Sequence, residues 1–215
     1  MPMFDFKKNE KKLYQPGPEP SIIDIGPMNF LTVKGEGDPN TSKTYQTAVE
    51  MLYGLAYTIK MSKKGDVQPA GYFDFVVPPL EGIWSMDDQL VAGEISNHKE
   101  AFTWTMMLRM PDFVDETALD VAKAYFQNKK PDFDLSLVKL TKFTEGLSAQ
   151  ILHIGSYDEA EKTILKLEEF IKTKGYQSVM KGLYQHHEIY LGDPRKTEPE
   201  QLKTIIRHPI RKPKK

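Results

Sequence analysis

Apolar residues recur at two different spacings along the chain, and each spacing predicts one type of element. From about residue 42 they are three or four positions apart, at Tyr45, Val49, Leu52, Ala56 and Ile59. This spacing is typical of one face of a long amphipathic helix. A second helix is predicted from Asp115 to about Asn128, with acidic residues early and lysines late, the order that the helix dipole favours.

Stretches rich in β-branched and aromatic residues flank these helices and predict strands. The sequence at 21–37 predicts two short extended runs split at Gly26-Pro27. GYFDFVVPPLEGIW at 71–84 predicts a strand halted at Pro78-Pro79, and FTWTMMLRMP at 102–111 predicts another. The lysine-rich start of the chain ends in the turn-forming PGPEP, so it is expected to be an arm that leads into the fold.

The second half of the chain repeats this order. LSAQILHIG at 147–155 predicts a strand, and Ser156 and Glu159 have the spacing of a capping box that opens a helix. The apolar stripe of that helix is Ala160, Ile164, Leu167 and Ile171, and Gly175 ends it. VMKGLYQHHEIYLGDP at 179–194 and LKTIIRHPI at 202–210 predict the last two strands.

Strand, helix, strand, strand therefore occurs twice. Weak local matches, such as LTVKG at 31–35 with ILHIG at 151–155, accompany the repeated order. The predicted fold class is α+β, with duplicated βαββ units related by a pseudo-two-fold axis and a ligand cleft between the halves. All 215 residues are assigned to one domain, with an arm at 1–20, a first half at 21–130 and a second half at 131–215.

Composition and charge narrow the class of function. The chain is 40% hydrophobic and has a formal net charge of −1, so it can bury a core but gives no electrostatic reason to bind nucleic acid or an anionic membrane. It contains no cysteine, which excludes disulfides and thiol chemistry. Without a signal-peptide core or an apolar run of membrane-spanning length, a cytoplasmic monomer or homodimer is expected.

The stretch HHEIYLGDP at 186–194 places a glutamate in a predicted core strand. Because strand side chains alternate, Glu188 is expected on the same face as His186 and Tyr190. A carboxylate taken out of water either has a raised pKa or is paired with a cation. It could therefore form a structural ion pair at a sheet edge, with Arg109 or Arg207, or serve as a cleft carboxylate that binds a cationic ligand.

Aromatic residues could form the walls of such a cleft, where each ring would attract a cation. The available rings are Trp84, Trp104, Tyr72, Tyr53 and Phe75. Ordinary core packing is the alternative for Trp84 and Tyr190. Aligning YFDFVVPP with HHEIYLGDP also places Asp74 opposite Glu188, and two facing carboxylates would suit acid–base catalysis. A solvated Asp74 is the alternative.

No metal or other cofactor is expected. His186 and His187 are adjacent in a strand and point to opposite faces, so they cannot share one metal ion. GEGDPN at 35–40 lacks the glycine spacing and the lysine of nucleotide-binding loops. No serine-hydrolase motif is present either.

Several motifs resemble the GyrI-like (gyrase-inhibitor-like) small-molecule-binding family, in order over nearly the whole chain. They are MNFLTVKGEGDPN, PPLEGIW, WTMMLRMPDFV, EGLSAQILHIGSY and HHEIYLGDPRKTEPEQLKTIIRHPI. The family is similar to the effector-binding domains of multidrug-responsive transcription regulators. The resemblance implies an aromatic cleft with a central carboxylate, and carried over by motif these are Glu188, Tyr190 and Trp84. Members often read GLWW where this chain has GIWS, so Ser85 replaces a common second tryptophan.

The resemblance implies that the partner is a small molecule, and that the protein has one of two functions toward it. The first is binding of amphipathic, planar or cationic compounds for sequestration or sensing. Its expected ligand-binding residues are Trp84, Glu188, Tyr190, Trp104, Tyr72, Asp74, Tyr53 and His186. The second is detoxification, because some stand-alone members hydrolyse cyclopropane-bearing DNA-alkylating compounds; Glu188 would be the general base and Tyr190 the hydrogen-bond donor. Inhibition of gyrase or another protein partner is a third interpretation, without a recognisable apolar patch to support it.

Overall fold

Antiparallel strands form a closed, barrel-like sheet in the computed structural model, which describes residues 3–65, 68–85, 99–179 and 186–213. The strands are β1 (Ser21–Glu36), β2 (Leu80–Ser85), β3 (Thr103–Met110), β4 (Lys139–Ile154), β5 (Gln177–Ser178), β6 (His186–Tyr190) and β7 (Lys203–Arg211). Around the barrel the order is β4, β1, β3, β2, β6, β7, and β7 pairs with β4. The short β5 is attached to the far end of β7.

In the part of the chain that the structure describes, two short α-helices and three longer ones accompany the sheet. They are α1 (Phe6–Asn9), α2 (Lys11–Tyr14), α3 (Lys43–Met61), α4 (Glu116–Lys129) and α5 (Glu161–Thr173). The mixed helix and strand content predicted from the sequence is confirmed, and none of the helices described is long and apolar enough to cross a membrane.

Local sequence sets the starts of the longer helices. Ser42 and Asp115 cap α3 and α4, each accepting a hydrogen bond from a backbone amide three residues later. The capping box predicted at Ser156 is wrong in detail, because its hydroxyl donates to the Glu159 carboxylate and caps no helical amide. A 3-10 turn follows, and α5 begins only at Glu161.

Helices α3 and α5 cover one face of the sheet, which we call the helix-covered face. Under α3, Leu31 of β1 and Leu108 of β3 belong to one buried apolar cluster with Leu52 and Leu55 of the helix. Under α5, a second cluster joins Ile151 and Ile206 of the sheet with Leu167 and Ile171 of the helix. Each such side chain contributes about 1.5–3 kcal/mol by leaving water. The space between these two helices is where the candidate site lies.

Two strand predictions are corrected by the structure. β1 continues through Gly26-Pro27, where Ile25 pairs with Gly146 and Pro27 with Thr144 of β4. Strand β2 begins at Leu80, directly after Pro78-Pro79, and the predicted strand across 71–79 is limited to one bridge between Phe4 and Phe75. Proline lacks the amide hydrogen that a strand ladder needs, so the ladder starts after the proline pair.

The opposite face of the sheet carries a buried polar network. His187 contacts Glu145 at 2.9 Å and Glu81 at 3.1 Å. Arg207 donates to Glu145 at 3.1 Å, and Tyr14 of the N-terminal arm donates to Glu81 at 3.2 Å. Two carboxylates thus meet one guanidinium and one imidazole, so the network is neutral when His187 is protonated.

Candidate functional site

Glu188 lies on the helix-covered face, in the middle of the sheet. Its strand β6 pairs with β2 on one side and β7 on the other. Oε1 of Glu188 is 2.8 Å from His186 Nε2, and Oε2 accepts a hydrogen bond from the Tyr190 hydroxyl at 2.7 Å. The predicted grouping of these three side chains on one face is confirmed, and the Glu188 side chain is only 15% exposed.

The protonation state of Glu188 follows from these neighbours. Burial alone would raise the pKa of Glu188, but the hydrogen bond and charge of His186 and the hydrogen bond from Tyr190 lower it below its usual value. Burial and the Glu188 charge raise the pKa of Tyr190 well above its usual value. The pair is therefore a carboxylate and a neutral phenol at neutral pH.

Trp84 reaches the same group from strand β2. Its indole Nε1 donates to the Tyr190 hydroxyl at 2.8 Å, so Tyr190 accepts from Trp84 while it donates to Glu188. The register places Gly82 opposite Glu188 and Trp84 opposite His186. A Cβ at Gly82 would lie 2.9 Å from Trp84 Nε1, so glycine is required for this close approach.

Two tyrosines from the flanking helical segments complete the aromatic surroundings. Tyr45 of α3 stacks on Trp84 with ring centroids 6.0 Å apart, and Tyr157, before α5, packs edge-on against Tyr190 at 5.6 Å. Burial and the charge of Glu188 raise the pKa of Tyr157 to about 12 and raise that of Tyr45 further. Neither residue was predicted as a site residue, although Tyr45 stands in the apolar stripe of α3.

A hydrogen-bonded chain leads away from Glu188 beneath α5. His186 Nδ1 is 2.9 Å from His208 Nε2, and His208 Nδ1 is 2.7 Å from Glu168 Oε1. Ser178 donates to both Glu168 oxygens, at 2.7 and 2.8 Å. The sequence signal for His208 was a histidine two positions after Ile206, and therefore on the same face of β7 as that apolar residue.

Two further predicted residues lie at the margin of this group. Trp104 pairs across from Trp84 and packs edge-on against Tyr45 at 5.4 Å, but it is only 3% exposed and belongs to the core behind the site. Tyr53 is partly buried on α3 and lies near the backbone of Leu80, the residue that pairs with Tyr190. Trp104 therefore supports the site from behind, and Tyr53 borders it.

Tyr72 and Asp74 lie in a different cluster. The Tyr72 hydroxyl donates to the Lys60 carbonyl at 2.5 Å, and Asp74 is paired with Lys60 at 3.4 Å and Lys63 at 2.5 Å. Neither takes part in the described contacts around Glu188. The alignment that placed Asp74 opposite Glu188 is wrong, because it assigned the residues before Pro78-Pro79 to the paired strand. Phe75, fully buried beneath Lys60, is also core.

Glu188 does not form the ion pair with Arg109 or Arg207 that was considered from the sequence. Arg109 is paired with Glu10 of the arm, and Arg207 is paired with Glu145 on the opposite face. The partner of Glu188 is His186. Across the described segments, no group of three or more histidine or acidic side chains could hold a metal ion.

An open groove of about 710 Å³ lies elsewhere, between the arm, the first part of β1 and Arg109. It contains none of the predicted site residues. We call Glu188, His186 and the four partly exposed rings around them the Glu188 group; the rings are Tyr45, Trp84, Tyr157 and Tyr190. Unlike the groove, this group combines a buried carboxylate with partly exposed aromatic rings. We therefore assign the candidate site to the Glu188 group.

Comparison with known domain families gives a match over most of the chain. The family model of the GyrI-like small molecule binding domain matches residues 18–211. The chain belongs to the GyrI-like family. A search of curated proteins gives no match. The GyrI-like family is a family of small-molecule-binding domains. Membership alone does not identify the small molecule that this chain binds.

Solved structures of a hydrolase, an uncharacterized conserved protein and the C-terminal domain of EcmrR are similar to this GyrI-like chain. Two crystal structures from Listeria innocua are each 47% identical and cover 97% of this chain and 100% of their own; one is called a hydrolase (TM-score 0.87) and the other an uncharacterized conserved protein (TM-score 0.90). The C-terminal domain of EcmrR is 9% identical, with a TM-score of 0.52 over 91% of this chain and 98% of its own. The similarity to EcmrR shows the fold alone.

Proposed function

We propose that this GyrI-like domain binds amphipathic, planar or cationic small molecules between α3 and α5, for sequestration or sensing. The observation that carries the proposal is a buried carboxylate, Glu188, at the centre of partly exposed aromatic rings. A ligand cation gains charge attraction from Glu188 and about 0.5–2 kcal/mol from each ring face that it contacts. Flat rings also accept many ligand shapes, so the site would select for charge and planarity more than for outline.

A thermal-shift titration with ethidium, a planar cation, tests the proposal. A ligand at about 100 times its Kd adds roughly 2.7 kcal/mol, which raises Tm by roughly 5 to 11 °C for a chain of this size. Glu188→Gln keeps the size and one hydrogen bond but removes the charge, so the shift should fall to a small fraction of the wild-type value.

The matched control is Glu169→Gln, the same chemical change at an exposed position of α5. It should leave the ethidium shift unchanged. Phenanthridine, the neutral ring system of ethidium, should bind wild type and Glu188→Gln alike, since it has no charge to lose. Equal ethidium shifts in wild type and Glu188→Gln would contradict the proposal.

A second candidate function is hydrolysis of cyclopropane-bearing DNA-alkylating compounds. It is favoured by the Listeria innocua structure called a hydrolase, which is 47% identical over 97% of this chain. In such a reaction, water adds to a cyclopropane carbon while the ring bond breaks toward a conjugated ketone. Glu188 would take a proton from the attacking water, and Tyr190 would donate a hydrogen bond to the developing enolate oxygen. The proton would then pass from Glu188 to the enolate, which completes the addition of one water; general base catalysis of this kind is worth about 10²- to 10⁴-fold.

Mass spectrometry of the small molecule separates the two functions. A product heavier by one water, formed by wild type and not by Glu188→Gln, would identify the chain as a hydrolase. An unchanged compound that is retained by the protein would identify a binding module. Full turnover by Glu188→Gln would exclude the proposed role of this carboxylate in catalysis.

A further inference from the structure

The hydrogen-bonded array Glu188–His186–His208–Glu168 joins the candidate site to a partly exposed carboxylate of α5. Its three links measure 2.8, 2.9 and 2.7 Å. The two rings are buried at 8% and 0% exposure, whereas the Glu168 side chain at the outer end is 23% exposed. An array of this kind links a buried carboxylate to one near the surface through two titratable rings.

Counting protons fixes the charge of the array. Each of the three links requires one proton between its two heavy atoms. The pKa values of Glu188 and Glu168 are both lowered, in each case because hydrogen bonds from a neighbouring histidine outweigh the effect of burial. With both carboxylates ionised, the two rings share three protons, whereas two neutral rings carry two. One ring is therefore an imidazolium, and the array has a net charge of −1.

The position of the excess proton follows from the surroundings of the rings. Burial and the neighbouring charge of His186 lower the pKa of His208, although the bond to Glu168 opposes this. We place the excess proton on His186, because this ring contacts the Glu188 carboxylate at 2.8 Å and is 8% exposed, whereas His208 is completely buried. In this state His208 is neutral and donates its Nδ1 proton to Glu168.

We propose that His186, His208 and Glu168 form a proton relay that serves the Glu188 site. In the empty site the excess proton lies on His186. When a cation binds beside Glu188, the Nδ1 proton of His186 passes to His208 Nε2. His186 remains a neutral donor to Glu188, His208 becomes the imidazolium against Glu168, and the three hydrogen bonds and the net charge are conserved. This inference rests on the proposed binding function for its ligand step.

The relay reduces the repulsion between the His186 imidazolium and the incoming cation, because the positive charge moves to His208 and stays within the protein. A fixed imidazolium next to Glu188 would repel a ligand cation and neutralise the carboxylate that attracts it. His208 carries the charge one ring further away, and the Glu168 carboxylate stabilises it there. Because Glu168 does not contact Glu188, its role would be one of positioning charge.

Other titratable groups face the array and belong in any interpretation of its pH dependence. They are Tyr45 from α3, Tyr157 from the turn before α5, His153 and Glu145 from β4, and Lys172 from α5. The phenols remain neutral over the range where histidines titrate, since their pKa values are raised. His153 is held by Thr163 and the Ser156 carbonyl.

Nitrogen-15 spectra of the histidine rings test the relay directly. The chain has five histidines, so a His186→Gln and a His208→Gln spectrum suffice to assign the two rings. In the free protein at neutral pH, His186 should show imidazolium nitrogen shifts and His208 those of a neutral ring protonated at Nδ1. On addition of ethidium, His208 should show imidazolium nitrogen shifts and His186 those of a neutral ring protonated at Nε2. Two neutral rings in the free protein would overturn the proposal without any ligand being involved.

The outer carboxylate provides the second test. Glu168→Gln removes the group that stabilises a charged His208, so ethidium should bind about 10-fold more weakly, the ratio that corresponds to one pKa unit. Glu169→Gln, the exposed neighbour, should bind as wild type, and neutral phenanthridine should bind all three proteins alike. The Tm of each free variant shows whether it is folded.

The outcomes separate failure of the relay from failure of the binding function. If ethidium binds in a Glu188-dependent manner but His186 stays charged and Glu168→Gln binds as tightly as Glu169→Gln, only the relay is wrong. If ethidium does not bind wild type, or Glu188→Gln binds it unchanged, the binding function is wrong and the ligand-driven transfer falls with it. The free-protein spectra still decide whether the array holds its excess proton.

Discussion

Tyr190 uses its hydroxyl twice, once as acceptor and once as donor. It accepts from Trp84 Nε1 at 2.8 Å and donates to Glu188 Oε2 at 2.7 Å. The first bond orients the hydroxyl so that its proton points at the carboxylate. The second helps to keep Glu188 ionised although it is buried. One oxygen atom therefore sets both the position of the indole and the charge of the acid.

Tyr190→Phe should destabilise the protein more than a typical removal of a tyrosine hydroxyl. It leaves the Trp84 indole nitrogen without its acceptor and Glu188 without one donor, and a hydrogen bond to a charged group is worth about 1.5–3 kcal/mol. Urea unfolding should show a loss of that size. The control is Tyr125→Phe on α4, whose tyrosine is 49% exposed, with an expected change of less than about 0.5 kcal/mol. Equal losses in the two variants would show that Tyr190 has no special role.

At the scale of elements, the site depends on how closely β2 approaches its neighbours. Gly82 lies opposite Glu188 on β6 and Met106 on β3. A Cβ there would be 2.9 Å from Trp84 Nε1 and 3.2 Å from Met106 Sδ. The indole could remain bonded to Tyr190 only if the β2 backbone moved.

Gly82→Ala should therefore displace Trp84 and weaken the site. Overpacking of this kind costs about 1–3 kcal/mol of the unfolding free energy, and the ethidium affinity should fall as the indole leaves Tyr190. Tryptophan fluorescence and urea unfolding measure the two effects. Gly26→Ala is the matched control, because a Cβ at this exposed strand glycine of β1 would have no neighbouring atom within 4 Å. If both variants behaved alike, close packing at Gly82 would not matter.

The sequence predicted those features of the site that are set within a single strand or helix. Alternation along β6 is a fixed property of a strand, so it placed His186, Glu188 and Tyr190 on one face. The approach of Trp84 depends on the register between β2 and β6, which local pattern does not contain. The alignment through Asp74 was wrong because it extended a strand across a proline pair that ends the ladder.

Side chains that converge from distant elements could not be predicted in the same way. His208 and Glu168 are 40 positions apart and meet only because α5 packs over β7. Their residue types were visible, but a histidine in a strand and a glutamate beside an apolar stripe are each ordinary alone. The longer helices were predicted well, because their period and their caps at Ser42 and Asp115 are local.

For the whole molecule, the two faces of the sheet hold charge in different ways. On the helix-covered face, the array of Glu188, His186, His208 and Glu168 retains one net negative charge beside partly exposed rings. On the opposite face, the network around His187 is neutral and closed, and Arg207 and Tyr14 tie it to the arm, since Arg207 also donates to the Leu13 carbonyl at 3.0 Å. The negatively charged Glu188 array is suited to reversible binding of a cationic ligand. The neutral His187 network stabilises the barrel.

The closed network makes stability depend on pH in a defined direction. The charge of Glu145 and the bonds to both acids, working against burial, raise the pKa of His187 from 6.5 to about 9. Its contribution is complete below about pH 6.5 and is lost as the pH rises toward 9. Interactions with His187 and Arg207, working against burial, lower the pKa of Glu145 from 4.5 to about 2. That contribution is complete above about pH 4.5 and is lost as the pH falls toward 2.

The unfolding free energy should therefore be greatest between about pH 4.5 and 6.5 as far as this network decides it. His187→Gln tests the loss of stability at high pH, because it removes the group that loses its proton there. The substitution breaks a buried charged pair and should lower the unfolding free energy by about 3–5 kcal/mol below pH 6.5. Urea unfolding at about pH 5.5, 7.5 and 9 should show the difference between wild type and His187→Gln shrinking by ~3 kcal/mol. Lysine and tyrosine titrations affect both proteins and cancel in this difference. A difference that stays constant from about pH 5.5 to 9 would mean that folding does not raise the pKa of His187.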